Sequence, residues 1–186
     1  AGLDGLVTLE AFNAIAYAAF VGGASTTELL NAEGFGELIL LGVDTHFDHA
    51  ILCERAAFAY AGLINNTPSP ANILLSGHAC EILLRLLGLR GASMQMKASV
   101  CEIIVTSCET SDGKLAFHRA GAVDAIIELL ARSILSENLV MWSCTAIRAM
   151  GLVVHSGENL ARRKQQLSAA LDHVASAHDG GAYEKA

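Results

Sequence analysis

His46 and His49 stand three residues apart, with Asp48 between them and Asp44 before them, a spacing that sets imidazoles on one side of a helical turn. A protein zinc site takes three or four such ligands. No third nitrogen or thiolate lies nearby in the sequence, so the residues read as structural, with Asp44 or Thr45 placed to N-cap a helix. Gly77-His78-Ala79-Cys80 puts a histidine near a thiol, as a nucleophile and its base would be. Two positions apart on a helix, however, side chains diverge, and His78 is expected simply to open a helix. No GxSxG, P-loop or GxGxxG run occurs. The sequence therefore specifies no catalytic residue, no metal site and no cofactor site.

The five cysteines, Cys53, Cys80, Cys101, Cys108 and Cys144, are odd in number, lack CxxC spacing and sit inside apolar runs. They are expected to be free thiols packed as small hydrophobes, which suits a reducing, cytoplasmic location. Arg162-Arg163-Lys164 is the one run of three bases. That is too few for a nucleic-acid or lipid patch, and a solvated helical face is expected there. From Ala1 to Glu54 there are eight acids and no Lys or Arg, whereas the rest of the chain holds all 12 bases against 11 acids. The acidic end should repel nucleic acid and anionic lipid and attract a protein partner that is basic where it meets that end.

These residues must be held by helices. The 53% hydrophobic content is mostly Ala, Leu, Ile and Val, aromatics are only 5%, and the two prolines, Pro68 and Pro70, fall in one short stretch. Such a palette suits helices packed closely on helices. The most apolar window, Leu6 to Ala24, carries Glu10 and Asn13 and has no basic segment before it, so a buried soluble helix is expected rather than a membrane span or secretory leader. The lack of an initiator Met is consistent with a fragment of something longer.

Internal repetition organises the chain. A glycine introduces an apolar run at Gly34, Gly77 and Gly121, at intervals of 43 and 44 residues, and a further step reaches Gln165, where the glycine is lost. A second element keeps pace: Ala16-Tyr17-Ala18-Ala19-Phe20-Val21 resembles Ala59-Tyr60-Ala61-Gly62-Leu63-Ile64, with Met96 to Cys108 and Leu139 to Val154 in the corresponding places. Polar breaks follow at Gly22 to Thr27, Asn65 to Ser69, Glu109 to Lys114 and His155 to Asn159. Each glycine is expected to let a short and a medium helix approach closely at a sharp bend.

This order of long helix, polar turn, short helix, glycine and medium helix resembles the armadillo repeat, most clearly in Ser111 to Leu130, whose AGAVDAIIELL is similar to that family's glycine-led segment. HEAT-like arrays share the period and stack helix pairs in the same way. The resemblance implies an all-α, right-handed superhelical solenoid of about four repeats, near 1–43, 44–90, 91–134 and 135–178, followed by a flexible tail at 179–186. It also implies a concave groove along the third helices that holds an extended protein or peptide partner, as a scaffold or adaptor does. A regulatory or oligomerising segment of a larger multidomain protein is the alternative.

Some members of the family carry a ladder of Trp and Asn in the groove. Here the matching places hold Ala14 and Ala18, Ala57 and Ala61, Cys101 and Val105, and Thr145 and Ala149, which argues against recognition of basic nuclear-import signals. The groove candidates are instead polar or aromatic residues on otherwise apolar helices: Asn13, Tyr17, Arg55, Tyr60, Glu102, Thr106, Thr145 and Arg148.

Overall fold

The computed structural model describes residues 3–67, 77–132, 136–151 and 157–179. Among them the protein is all-α, with ten helices and no strand: α1 (Leu3–Val21), α2 (Gly23–Ala32), α3 (Phe35–Thr45), α4 (Ala50–Asn65), α5 (Gly77–Leu87), α6 (Met94–Ser107), α7 (Ser111–Arg119), α8 (Ala122–Arg132), α9 (Glu137–Met150) and α10 (Gly157–Asp179).

Side-chain caps start three of these helices. Ser93 opens α6 by accepting from the Met96 amide at 3.1 Å, and Ser136 opens α9 by accepting from the Leu139 amide at 3.3 Å. Thr110 does the same for α7 through the Gly113 amide at 3.1 Å. Each such cap satisfies an amide that the helix itself leaves without a partner, a contribution of about 1 kcal/mol.

At Gly34 and Gly121 the backbone has φ of +76° and +82°, and nothing lies within 4 Å of where a Cβ would stand. The glycine is thus required by its left-handed dihedral and not, as expected from sequence, by close approach of the two helices. The corresponding place in the last unit, Gln165, lies within the unbroken α10. With no residue there that readily takes a left-handed conformation, the chain does not bend.

The helices pack in two ranks. In the first, α1, α4, α6 and α9 lie one against the next in chain order, and in the second α3, α5, α8 and α10 do so, with α3, α5 and α8 also touching the long helices α4, α6 and α9 in turn. Between the ranks lies one aliphatic core, built from residues such as Ile39, Leu63, Ile82, Ile104, Ile126 and Leu130. Burying side chains of this size contributes about 1.5–3 kcal/mol each before the entropy of ordering them is counted. The buried hydroxyls of Thr27 and Ser107 bond to the carbonyls of Gly23 and Ile103, at 2.9 and 2.6 Å, so they enter the core without an unmet group.

Several sequence boundaries move. Asp44 and Thr45 do not cap a helix: they end α3, and His49 precedes α4. Thr45 turns its hydroxyl back to the Leu41 carbonyl at 2.8 Å, and Asp44 pairs with Arg85 of α5 at 2.7 Å. The expected break from Gly22 to Thr27 shrinks to Gly22 alone, because Thr26 and Thr27 bond back to the carbonyls of Gly22 and Gly23 within α2. The break after α6 also narrows, with α7 already under way at Ser111. Pro68, Pro70, His155 and the tail from Gly180 onward lie outside the described residues. The α1 helix is not the buried element expected: over Asp4–Val21 it is long and apolar enough by composition to cross a membrane, yet it packs along one stripe only, and Leu6, Val7, Tyr17, Phe20 and Val21 are exposed.

Candidate partner-binding surface

The outward side of the first rank is where the polar residues of the long helices collect. On α4 Arg55 and Ile51 are exposed; on α6 Gln95 is exposed while Glu102 and Thr106 are half-buried. On α9 Asn138, Met141 and Arg148 are exposed and Thr145 is half-buried. Asn65, the last residue of α4, ties two of these together. Its amide nitrogen donates to Glu102 Oε1 at 2.8 Å, and its carbonyl oxygen accepts from the Thr106 hydroxyl at 3.0 Å. Asn138 likewise donates to Gln95 Oε1 at 3.4 Å, linking α9 to α6. Thr145 spends its hydroxyl on the Met141 carbonyl at 2.8 Å.

These side-chain bridges fix the relative register of neighbouring helices, and they are made by residues that sequence reading overlooked. Asn65, Gln95 and Asn138 sit at helix ends, where polar residues are ordinary, so nothing in a single sequence distinguishes them.

Tyr60 is not on this surface. It is fully buried, and removal from water, with Cys80 and Glu37 nearby, raises its phenol pKa. The helix starts explain the error. His49, Ser93 and Ser136, the residues immediately before α4, α6 and α9, are 44 and 43 residues apart. In that register Tyr60 matches Ile104 and Ile147, which are buried too, whereas Arg148 falls one residue further round its helix and is exposed. On α1 Asn13 is half-buried and Tyr17 exposed, so of the eight candidates Glu102 and Thr106 are joined through Asn65, Thr145 and Arg148 share α9, and Tyr60 alone belongs to the core.

The residues first considered for chemistry are dispersed. The His46 and His49 rings are 6.2 Å apart, and among the described residues no group of three His, Cys, Asp or Glu side chains gathers to hold a metal ion. His78 is exposed at the start of α5, while Cys80 is buried. All five cysteines are free. Burial pushes the thiols of Cys53, Cys80 and Cys108 up to about 11 and that of Cys101 up to about 12, and it raises Cys144 as well. Thiols so shifted carry little thiolate near neutral pH and are poor nucleophiles.

In the second rank, a groove of about 860 Å³ runs between α8 and α10, lined in part by Asp124, Glu128, Arg162, Gln166 and His173. Walled also by Ala125, Ile127, Ala131, Ala169 and Ala170, it follows the seam between the last two helices of that rank.

No family model, curated protein or solved structure matches this chain. The functional reading therefore rests on the helices and their surfaces alone.

Proposed function

We propose that this chain is a protein–protein interaction scaffold, built as a right-handed solenoid of about four armadillo-like repeats, that holds an extended polypeptide across its long helices. The observation that carries the reading is the row of cross-helix hydrogen bonds on the outward side of the first rank, from Asn65 to Glu102 and Thr106 and from Asn138 to Gln95. A surface whose polar side chains are already tied to one another suits a partner that is itself extended, since a pre-ordered surface loses little entropy on binding. Arg55 and Arg148, exposed on α4 and α9, are the side chains best able to grip carboxylates or backbone carbonyls of such a partner.

The helix-per-unit pattern supports the armadillo reading over a HEAT-like one. α2 and α7 are separate short helices set before Gly34 and Gly121, so the first and third complete units each have three helices.

Panning a displayed library of extended peptides against the purified chain tests the reading. Peptides should be enriched that lose binding when Arg55 and Arg148 are both changed to Ala. Failure to enrich any peptide, or enrichment of peptides indifferent to both changes, would overturn the proposal. A regulatory or oligomerising role is the second reading, and the exposed apolar residues at the two ends of the helix stack favour it.

A further inference from the structure

Between Glu81 and Glu102 the chain holds no Asp or Glu but three bases, Arg85, Arg90 and Lys97, in a protein whose net charge is -7. Arg85 is occupied: Asp44 pairs with its guanidinium at 2.7 Å, and the Phe47 ring lies against it at 4.3 Å. No ion pair joins Arg90 or Lys97 to any described residue. Two cations thus stand without a counter-charge where the chain passes from α5 to α6.

The fold brings them to one place. α5 ends at Leu87, and Gly91, with φ of +79°, turns the chain toward Met94, where α6 begins. Arg90 is exposed on that turn, and Lys97 is half-buried near the start of α6. α8 packs along α5 and closes the opposite side. Together these elements enclose a pocket of about 510 Å³, with Arg90 and Lys97 in its lining beside Leu87, Leu89 and Leu129. Its walls come from the middle of the stack, where α5, α6 and α8 each have neighbours on both sides.

The lining decides what such a pocket can hold. Small-molecule sites typically have volumes of about 300–1,000 Å³ and combine apolar walls with a few convergent polar groups. Here a guanidinium fork and an ammonium group suit a carboxylate or a phosphate, and the leucines suit carbon. Glu128 is the one acid among the described lining residues, and it is already engaged within the chain. A cation would meet two bases there, and a neutral molecule would leave both without a counter-charge.

We infer that this pocket binds a small organic anion, with its carboxylate or phosphate group between Arg90 and Lys97 and its apolar body on Leu87, Leu89 and Leu129. The site goes beyond the scaffold reading and shares no residue with the Asn65–Thr106 surface.

Nuclear magnetic resonance of the labelled full chain, titrated at constant ionic strength with hexanoate, hexyl phosphate, hexanol and inorganic phosphate, provides the test. Amide signals of Leu89, Arg90, Gly91, Lys97 and Leu129 should shift to saturation with at least one of the two hexyl anions, while those of Asn65 and Thr106 stay in place. Whichever hexyl anion binds more tightly identifies the head group as carboxylate or phosphate. Hexanol and inorganic phosphate should each bind about tenfold or more weakly, the first for want of charge and the second for want of carbon. Arg90→Gln with Lys97→Gln should abolish the shifts at an unchanged melting temperature, since neither side chain has an ion pair to lose. Arg90→Gln alone, on the exposed turn, should weaken binding and keeps the test readable if the double variant is less stable. Absence of saturable shifts with both hexyl anions would overturn the inference, as would equal binding of hexanol or of inorganic phosphate, equal shifts at Arg55 and Arg148, or unchanged binding by Arg90→Gln.

Discussion

Tyr17 and Tyr60 stand 43 residues apart in matching segments, and the first is 70% exposed whereas the second is fully buried. One residue type in one repeat position thus has two different energetic roles, set by whether neighbouring helices cover it. Tyr60→Ala removes a large side chain from a filled core and should cost about 3–5 kcal/mol. Tyr17→Ala should change stability by about 0.5 kcal/mol or less. Denaturant unfolding of the two variants checks the pair.

The bends between short and medium helices give a second contrast. Gly121 has φ of +82° with open space around it, so Gly121→Ala should destabilise by roughly 1–2 kcal/mol through backbone strain alone. Gln165, at the matching place inside α10, should respond in the same direction to the opposite change. Gln165→Gly should cost about 0.5–1 kcal/mol, because glycine in a helix interior is entropically unfavourable. Thermal melts of both variants measure this, and a Gly121→Ala variant as stable as wild type would show that the left-handed turn is dispensable.

Much of this fold was legible in the sequence because its signals are local. The recurring glycines and the apolar periodicity act within a few residues of where they stand, whereas the one cap proposed, at Asp44 or Thr45, ends a helix instead of starting one. The surface was less legible. Two equal periods of 44 would set Tyr60 level with Arg148, but the helix starts lie 44 and then 43 residues apart, and a slip of one residue turns a side chain about 100° round a helix. Asn65 escaped notice because its partners, Glu102 and Thr106, come from the next long helix, and a single sequence carries no record of that contact.

The buried thiols make stability depend on alkaline pH. Their folded pKa values, about 11 for Cys53, Cys80 and Cys108 and about 12 for Cys101, lie above the ordinary value of 9.0. The folded state therefore holds these protons more tightly than the unfolded chain. This contribution is fully present below about pH 9 and is lost as pH rises toward 11–12. Urea unfolding between pH 7 and 11 should show a flat region and then a decline starting near pH 9. At pH 8 the native chain should react slowly with a thiol reagent, Cys144 first, because it alone is only half-buried, and all five thiols should react after denaturation.

The bridge between Asn65 and Thr106 should be measurable as a coupling. Asn65→Ala and Thr106→Val should each cost about 1 kcal/mol, and the double variant should cost less than the sum of the two, since either change already removes the shared bond. Strict additivity in that cycle would mean that the bond contributes nothing to the register of α4 against α6.

The claim that the outward side of the long helices is the partner surface is tested most directly by nuclear magnetic resonance of the labelled chain titrated with a peptide selected by panning. Backbone signals of Asn65, Glu102, Thr106, Thr145 and Arg148 should shift together, along one strip crossing α4, α6 and α9, while those of the α8–α10 groove stay in place. Shifts confined to Asp124, Glu128 and His173, or spread over the second rank with the first unchanged, would contradict the account.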